Sequence, residues 1–235
     1  MRAVFFDLDG TLLGMDMETF VMGYLKELCK MAAPLGYEAK VLNDAMWACT
    51  GAMIKNDGAT TNKERFWTEF AKFFGEKVYE DMPAFDTFYA NEFHRVKDVC
   101  CGDGEAARAA VAAAREWADV VVLSTNPIFP RTAVESRLGW VGLKAEDFDY
   151  ITTYENSTLC KPNPAYYHEI MGKLNLKAED ILMVGNDMQE DMLASQAAGI
   201  PKQFYVTDCA INRDDTPATM PHGSLRAFPA WLKEQ

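Results

Sequence analysis

Asp7 and Asp9 stand one residue apart near the start of the chain. They follow the apolar run Ala3-Val4-Phe5-Phe6 and precede Gly10-Thr11, so both sit at the carboxyl end of an expected strand. Carboxylates this close repel each other, and keeping both ionised requires a cation or strong donors nearby. Mg²⁺ suits such a pair, because it takes hard oxygen ligands, needs one or two carboxylates and keeps several waters. An ordinary Asp-Gly turn would read the same over so few residues. Three further points carry polar groups of matching chemistry. Ser124-Thr125-Asn126 ends the run Val120 to Leu123, and a hydroxyl there can donate to a phosphate oxygen or simply cap a turn. Lys161 precedes Pro162-Asn163-Pro164, where a lysine can reach into a site or face solvent. Asp187 and Asp191 follow the run Ile181 to Val184 and are four apart, one helical turn; Asp187 is also placed to cap a helix.

These side chains need a scaffold that gathers strand ends. The four-residue apolar runs at 120–123 and 181–184 read as buried parallel strands. Further strands are expected near 150–153 and at 203–206, with helices over 105–117, over 129–138 with Gly139 as the stop, and over about 224–232. The intervening 14–98 stretch reads as helical throughout. Phe20, Tyr24, Leu25 and Leu28 make one stripe, broken by Pro34-Leu35-Gly36. A second helix carries Val41 to Cys49 and ends near Thr50-Gly51. A third has Asn62 as N-cap and Gly75 as terminator, and a fourth covers about 85–95. The aromatic stripes of this block are read as core.

The chain has 235 residues and a net charge of −12, so it has no electrostatic footprint for nucleic acid or an anionic membrane. No apolar stretch is long enough for a transmembrane helix, and no secretory leader is expected ahead of the first strand. The six cysteines include no CxxC pair, and there are only three histidines, His94, His168 and His222, read as structural or surface residues. Zinc and a disulfide framework are therefore not expected, and reduced thiols of a cytoplasmic protein are. Cys100-Cys101 is the one adjacent pair that redox chemistry could use.

The string Phe6-Asp7-Leu8-Asp9-Gly10-Thr11-Leu12 resembles the first motif of the haloacid dehalogenase superfamily, on the side of its Mg²⁺-dependent phosphatases. Thr125-Asn126-Pro127 resembles the second motif, with Ser124 as the hydroxyl one residue out of step. Lys161-Pro162-x-Pro164-x-x-Tyr167 resembles the third. Gly185-Asn186-Asp187 with Asp191 resembles the fourth, departing from it by the inserted Asn186. The resemblance spans the chain and implies an α/β fold: a Rossmann-like parallel-sheet core (1–13 plus 99–235) with an inserted all-helical cap (14–98). It implies Asp7 as nucleophile, Asp9 as general acid/base and Lys161 as the cation that steadies the nucleophile and the phosphoryl oxygens. Thr125, Asn126 and Ser124 become the phosphate-binding candidates. Asp7, Asp9 and Asp187 become the Mg²⁺ ligands, with Asp191 and Asn186 behind them. Met15-Asp16 and the Thr50-Gly51 turn are candidate substrate contacts by the same analogy. The implied activity is hydrolysis of small phosphorylated metabolites through an aspartyl-phosphate, by a monomer or homodimer. Its rivals are a phosphomutase using the same residues, a carbon–halogen hydrolase, which needs neither Asp9 nor the acidic fourth motif, and a ligand-binding or regulatory protein that kept the fold without turnover.

Overall fold

The computed structural model describes residues 1–99 and 102–235, so the Cys100-Cys101 pair lies outside the described residues. Among those described, Cys29, Cys49, Cys160 and Cys209 are free thiols. No helix among them is long and apolar enough to cross a membrane.

Six parallel strands form one sheet: β1 (Ala3–Phe6), β2 (Val120–Leu123), β3 (Tyr150–Ile151), β4 (Ile181–Gly185), β5 (Lys202–Val206) and β6 (His222–Gly223). Their order is β3-β2-β1-β4-β5-β6, a Rossmann-like arrangement whose direction reverses beside β1. Ligands of such sheets bind outside the carboxyl ends at that reversal. The central β1 is buried on both faces. Val4 and Phe6 point into one core and Ala3 and Phe5 into the other, as strand alternation requires. The register aligns the strand ends: Phe6 pairs with both Leu123 and Val184. Asp7, Ser124 and Gly185 therefore stand at one level of the carboxyl edge.

Between β1 and β2 the chain forms α1 (Met17–Ala32), α2 (Ala39–Ile54), α3 (Asn62–Phe74) and α4 (Lys77–Asn91), followed by a 3₁₀ stretch, Phe93–Val99. Asp16 caps α1 by accepting from Thr19 N at 2.8 Å. Its stripe buries Phe20, Tyr24, Leu28 and Ala32. Those rings pack beyond their own helix. Tyr24 meets Phe129 edge-on at 5.4 Å, and Phe20 meets Trp140 at 6.5 Å. Aromatic pairs of this kind each add about 0.5–1.5 kcal/mol beyond burial, so the stripe also ties α1 to the sheet side of the molecule.

The remaining helices are α5 (Gly104–Trp117), α6 (Arg131–Trp140), α7 (Pro164–Leu174), α8 (Ala194–Ala197) and α9 (Phe228–Leu232). Several boundaries differ from the sequence expectations. The turn expected at Thr50-Gly51 is helix, because α2 runs on to bury Met53. The N-cap of α3 is Thr61, locked with Glu64 in a capping box, and not Asn62. Asn62 is buried instead, and its Nδ2 donates to Pro127 O at 3.1 Å and Leu159 O at 3.4 Å. It pins α3 to the loops under the site. The fourth helix starts earlier than 85 and tolerates Pro83 in its interior. Pro130 delays the start of α6, and Gly139 lies inside it. The final helix is split into a 3₁₀ turn, Leu225–Ala227, and α9. The two residues of β6 lie just ahead of it, where no strand is expected from the sequence. They pair only because Tyr205 N and Thr207 N donate to Pro221 and Gly223 carbonyls, a tertiary contact.

Candidate active site

A cavity of about 330 Å³ opens at the carboxyl edge of the sheet. Its floor comes from the strand-end loops and its walls from α1, α2 and the loop before α6. Asp7 lies on the floor. Its backbone N–H still belongs to the sheet, donating to Val184 O at 2.9 Å, while its side chain has left it. Oδ1 accepts from Lys161 Nζ at 2.9 Å, and Oδ2 lies 3.2 Å from the Thr11 hydroxyl, which shares its one proton between Asp7 and Asn186. Gly10 takes a left-handed φ of 87°, and a Cβ there would overlap Asn186. That close approach lets Asn186 Oδ1 accept from Thr11 at 2.8 Å while Nδ2 donates to Cys209 O at 2.7 Å. Asn186 thus fastens the first loop to the fourth.

Lys161 is almost fully buried and also donates to Asp191 Oδ1 at 2.6 Å. Burial opposes its charge, but Asp191 and Asp7 on either side outweigh that and hold its pKa well above the ordinary lysine value. Burial also raises the Asp191 carboxyl against the pull of Lys161. Asp191 Oδ2 accepts from Asp187 N at 3.0 Å, so both of its oxygens are acceptors and the group is a carboxylate. Gly185 is required beside it, since a Cβ would overlap the Asp191 carboxylate. Asn126 positions Lys161: its Oδ1 accepts from Lys161 N at 3.2 Å, and its Nδ2 donates to Glu190 at 3.1 Å.

Thr125 lines the cavity, with its carbonyl held by Thr152 and Tyr166 hydroxyls at 2.7 and 2.9 Å. Ser124 does not line it. That residue is fully buried and its hydroxyl donates to Phe6 O at 3.2 Å, inside the sheet. The one-residue alternation of a strand end separates the two. Thr50 lines the cavity, though from a helix and not a turn; Met15 and Asp16 do not. Asp187 caps the π-helical turn Met188–Leu193, accepting from Gln189 N and Glu190 N at 3.0 and 2.9 Å.

Two arginines of the site were not singled out by the sequence. Arg213, half exposed in the loop after β5, grips Asp187 through both carboxylate oxygens at 3.0 and 2.8 Å. Arg137 is fully buried on α6, and its Nη1 donates to Asp9 Oδ2. Its guanidinium sits 4.3 Å from the Phe129 ring centroid. Burial pushes the Asp9 carboxyl above its ordinary value, with Arg137 pulling the other way. Asp9 Oδ1 and Arg137 Nη2 have no partner among the described residues. Arg137→Met leaves Asp9 wholly unpaired. Breaking a buried pair costs roughly 3–5 kcal/mol. The low end, about 3 kcal/mol, is expected here, because Asp9 is 17% exposed and can take up a proton. Urea denaturation checks this, and a loss under about 1 kcal/mol would show the pair to be dispensable.

Among the described residues no three His, Cys, Asp or Glu side chains are close enough to hold an ion by themselves. Mg²⁺ does not need three, and every available donor here is a hard oxygen. The charge balance favours a cation. Five carboxylates line the floor, Asp7, Asp9, Asp187, Glu190 and Asp191, against three cationic partners, Arg137, Lys161 and Arg213. Fully ionised, the floor is negative and would repel a phosphate dianion.

The fold is that of a known hydrolase class. The family model for haloacid dehalogenase-like hydrolases matches residues 1–199, and the chain belongs to that family. Among its relatives, the phosphoglycolate phosphatase of Pectobacterium atrosepticum is 26% identical over 206 residues, covering 85% of this chain and 77% of the relative. The 2-haloacid dehalogenase of Pseudomonas syringae pv. Tomato has a similar structure, with a TM-score of 0.63 at 17% identity over 100% of this chain and 99% of the other. A HAD-hydrolase of Bacillus subtilis, in a structure bound to magnesium, gives a TM-score of 0.58 at 18% identity over 99% and 98%.

Proposed function

We propose that this chain is a Mg²⁺-dependent phosphatase of small-molecule phosphomonoesters, working through an aspartyl-phosphate on Asp7. One observation carries the reading: Asp7 lies on the cavity floor, with one oxygen fixed by Lys161 and the other beside the Thr11 hydroxyl. A carboxylate held from behind presents itself to a ligand above it in one orientation, which is what in-line attack on phosphorus requires. Asp9, its pKa raised by burial, gives its proton to the leaving oxygen and then takes one from the water that hydrolyses the acyl phosphate. The Thr125 hydroxyl, free of protein partners among the described residues, donates to a phosphoryl oxygen. Lys161 balances the charge that gathers around Asp7. Asn126 acts through Lys161, and Asn186 through the first loop. The Asp7 and Asp187 carboxylates and the Asp9 carbonyl would hold Mg²⁺, with Asp187 giving up part of its grip on Arg213. When bound, the ion supplies the positive charge that lets a phosphate dianion approach the acidic floor.

In this reading residues 1–13 and 99–235 form the core and 14–98 the cap that keeps bulk water from the first half-reaction. The relatives named phosphoglycolate phosphatase support phosphate-ester hydrolysis. Phosphate release from a panel of phosphomonoesters tests it. Turnover is expected with Mg²⁺ and at least about 100-fold less with EDTA. Release that ignores EDTA would remove the metal from the mechanism.

A further inference from the structure

The phosphatase reading leaves the alcohol half of the ester open, and the cavity walls speak to it. We infer, resting on that reading, that the natural ester carries an apolar or aromatic body and neither a carboxylate nor a sugar-like polyol. All the charged lining residues belong to the floor: Asp7, Asp9, Asp187, Glu190, Asp191 and Arg213. The wall from α1, α2 and Ile128-Phe129 contains no charged side chain. Phe20, Leu25, Met46, Trp47 and Phe129 give it its surface. Its side-chain hydroxyls are those of Tyr24 and Thr50, and Tyr24 already shares a hydrogen bond with Tyr89 at 2.5 Å.

A second observation lies at the rim. Trp47 is 61% exposed, and Ile54 and Met17 are 39% and 38% exposed, yet all three line the same cavity. Single exposed apolar residues are commonplace. An exposed apolar rim continuous with a buried apolar wall marks a binding surface.

The exclusions follow from unpaired groups. A second carboxylate on the ester would be buried against this wall without a cation, at a heavy desolvation cost. Arg213 is the cation that lines the cavity among the described residues, and it stands on the floor beside Asp187, at 3.0 and 2.8 Å, and not on this wall. A polyol would bring several hydroxyls to a wall with one hydroxyl free and another shared, leaving the rest unsatisfied. An alkyl or aryl body buries against it with no such loss.

The test compares primary alkyl esters whose leaving groups differ little in acidity: 3-phenylpropyl phosphate and glycerol 3-phosphate, with phosphoglycolate as the carboxylate case. The phenylpropyl ester is expected to show about 10- to 100-fold higher kcat/KM than either. Trp47→Ala is expected to shrink that ratio by about tenfold. A parallel arm uses calorimetry on Asp7→Asn with Mg²⁺, where the phenylpropyl ester should bind at least about tenfold tighter. Equal or reversed preference in turnover and binding overturns the inference while leaving the phosphatase reading intact. Absence of phosphate release from every ester, with the tenfold binding preference retained, overturns the phosphatase reading and upholds the apolar occupant.

Discussion

Asp7→Asn is expected to lower kcat for phosphate release by about 10⁴-fold or more while leaving the protein folded. The amide has the shape of the carboxylate but is not a nucleophile, so no acyl phosphate can form. The surroundings predict that the fold survives. Thr11 keeps its bond to Asn186, and Lys161 keeps its shorter contact, at 2.6 Å, to Asp191. One carboxylate of a crowded floor becomes neutral, which relieves repulsion there. Thermal melting should therefore move little, whereas product formation should disappear. Acid-quenched protein incubated with a labelled ester gives a second readout: phosphate bound covalently to wild type and none bound to the variant. Retention of more than about a tenth of wild-type kcat would sink the covalent route and turn attention to direct attack by water.

The parts of the site that the sequence displays are those bound to strand ends. Asp7, Thr125 and Asp187 each follow a short apolar run by one to three residues, and the register aligns those runs within one sheet. Lys161 could be suspected only by the pattern around it, because its partners Asp7 and Asp191 lie 154 and 30 residues away. Arg137 left a signal that was there to be read. On α6 the buried positions are Ala133, Val134, Arg137 and Leu138, so the arginine falls on the apolar stripe. A charge on that stripe is nearly always paired, and the partner here is Asp9. Arg213 left none. It sits in a loop without periodicity, and its contact with Asp187 depends on how that loop folds back from β5. The motif favours Thr125 over Ser124, but the apolar run alone leaves them level, because the choice turns on one residue of strand alternation. Helix ends were the least legible part. Thr50-Gly51 looks like a stop, but packing beyond it carries α2 through, against a glycine cost of about 1 kcal/mol, whereas α6 ends one residue after Gly139. Asn62 looks like a cap because its type suits one, and its actual bonds to Pro127 and Leu159 carbonyls are long-range.

Lys161→Met should damage stability and activity together, and the two losses can be separated. The ammonium is the shared partner of two buried carboxylates. Without it Asp7 and Asp191 face each other with no intervening charge. Removing one member of a buried ion pair costs roughly 3–5 kcal/mol, and here two carboxylates lose the same partner, so about 4–5 kcal/mol is expected. Activity should fall by at least about 10³-fold, since the charge near the nucleophile is lost in the transition state as well as in the ground state. A purely structural lysine would predict that restoring stability restores turnover. Adding Asp191→Asn to Lys161→Met tests that. The amide keeps an oxygen for Asp187 N, removes one of the two opposed charges and should recover about 2 kcal/mol of the loss in urea denaturation. If Lys161 handles charge during the reaction, kcat stays at the level of the single variant, because neither substitution returns a cation to Asp7. Recovery of kcat in step with stability would reassign Lys161 to the scaffold, leaving Thr125 and the bound cation to stabilise the phosphoryl group.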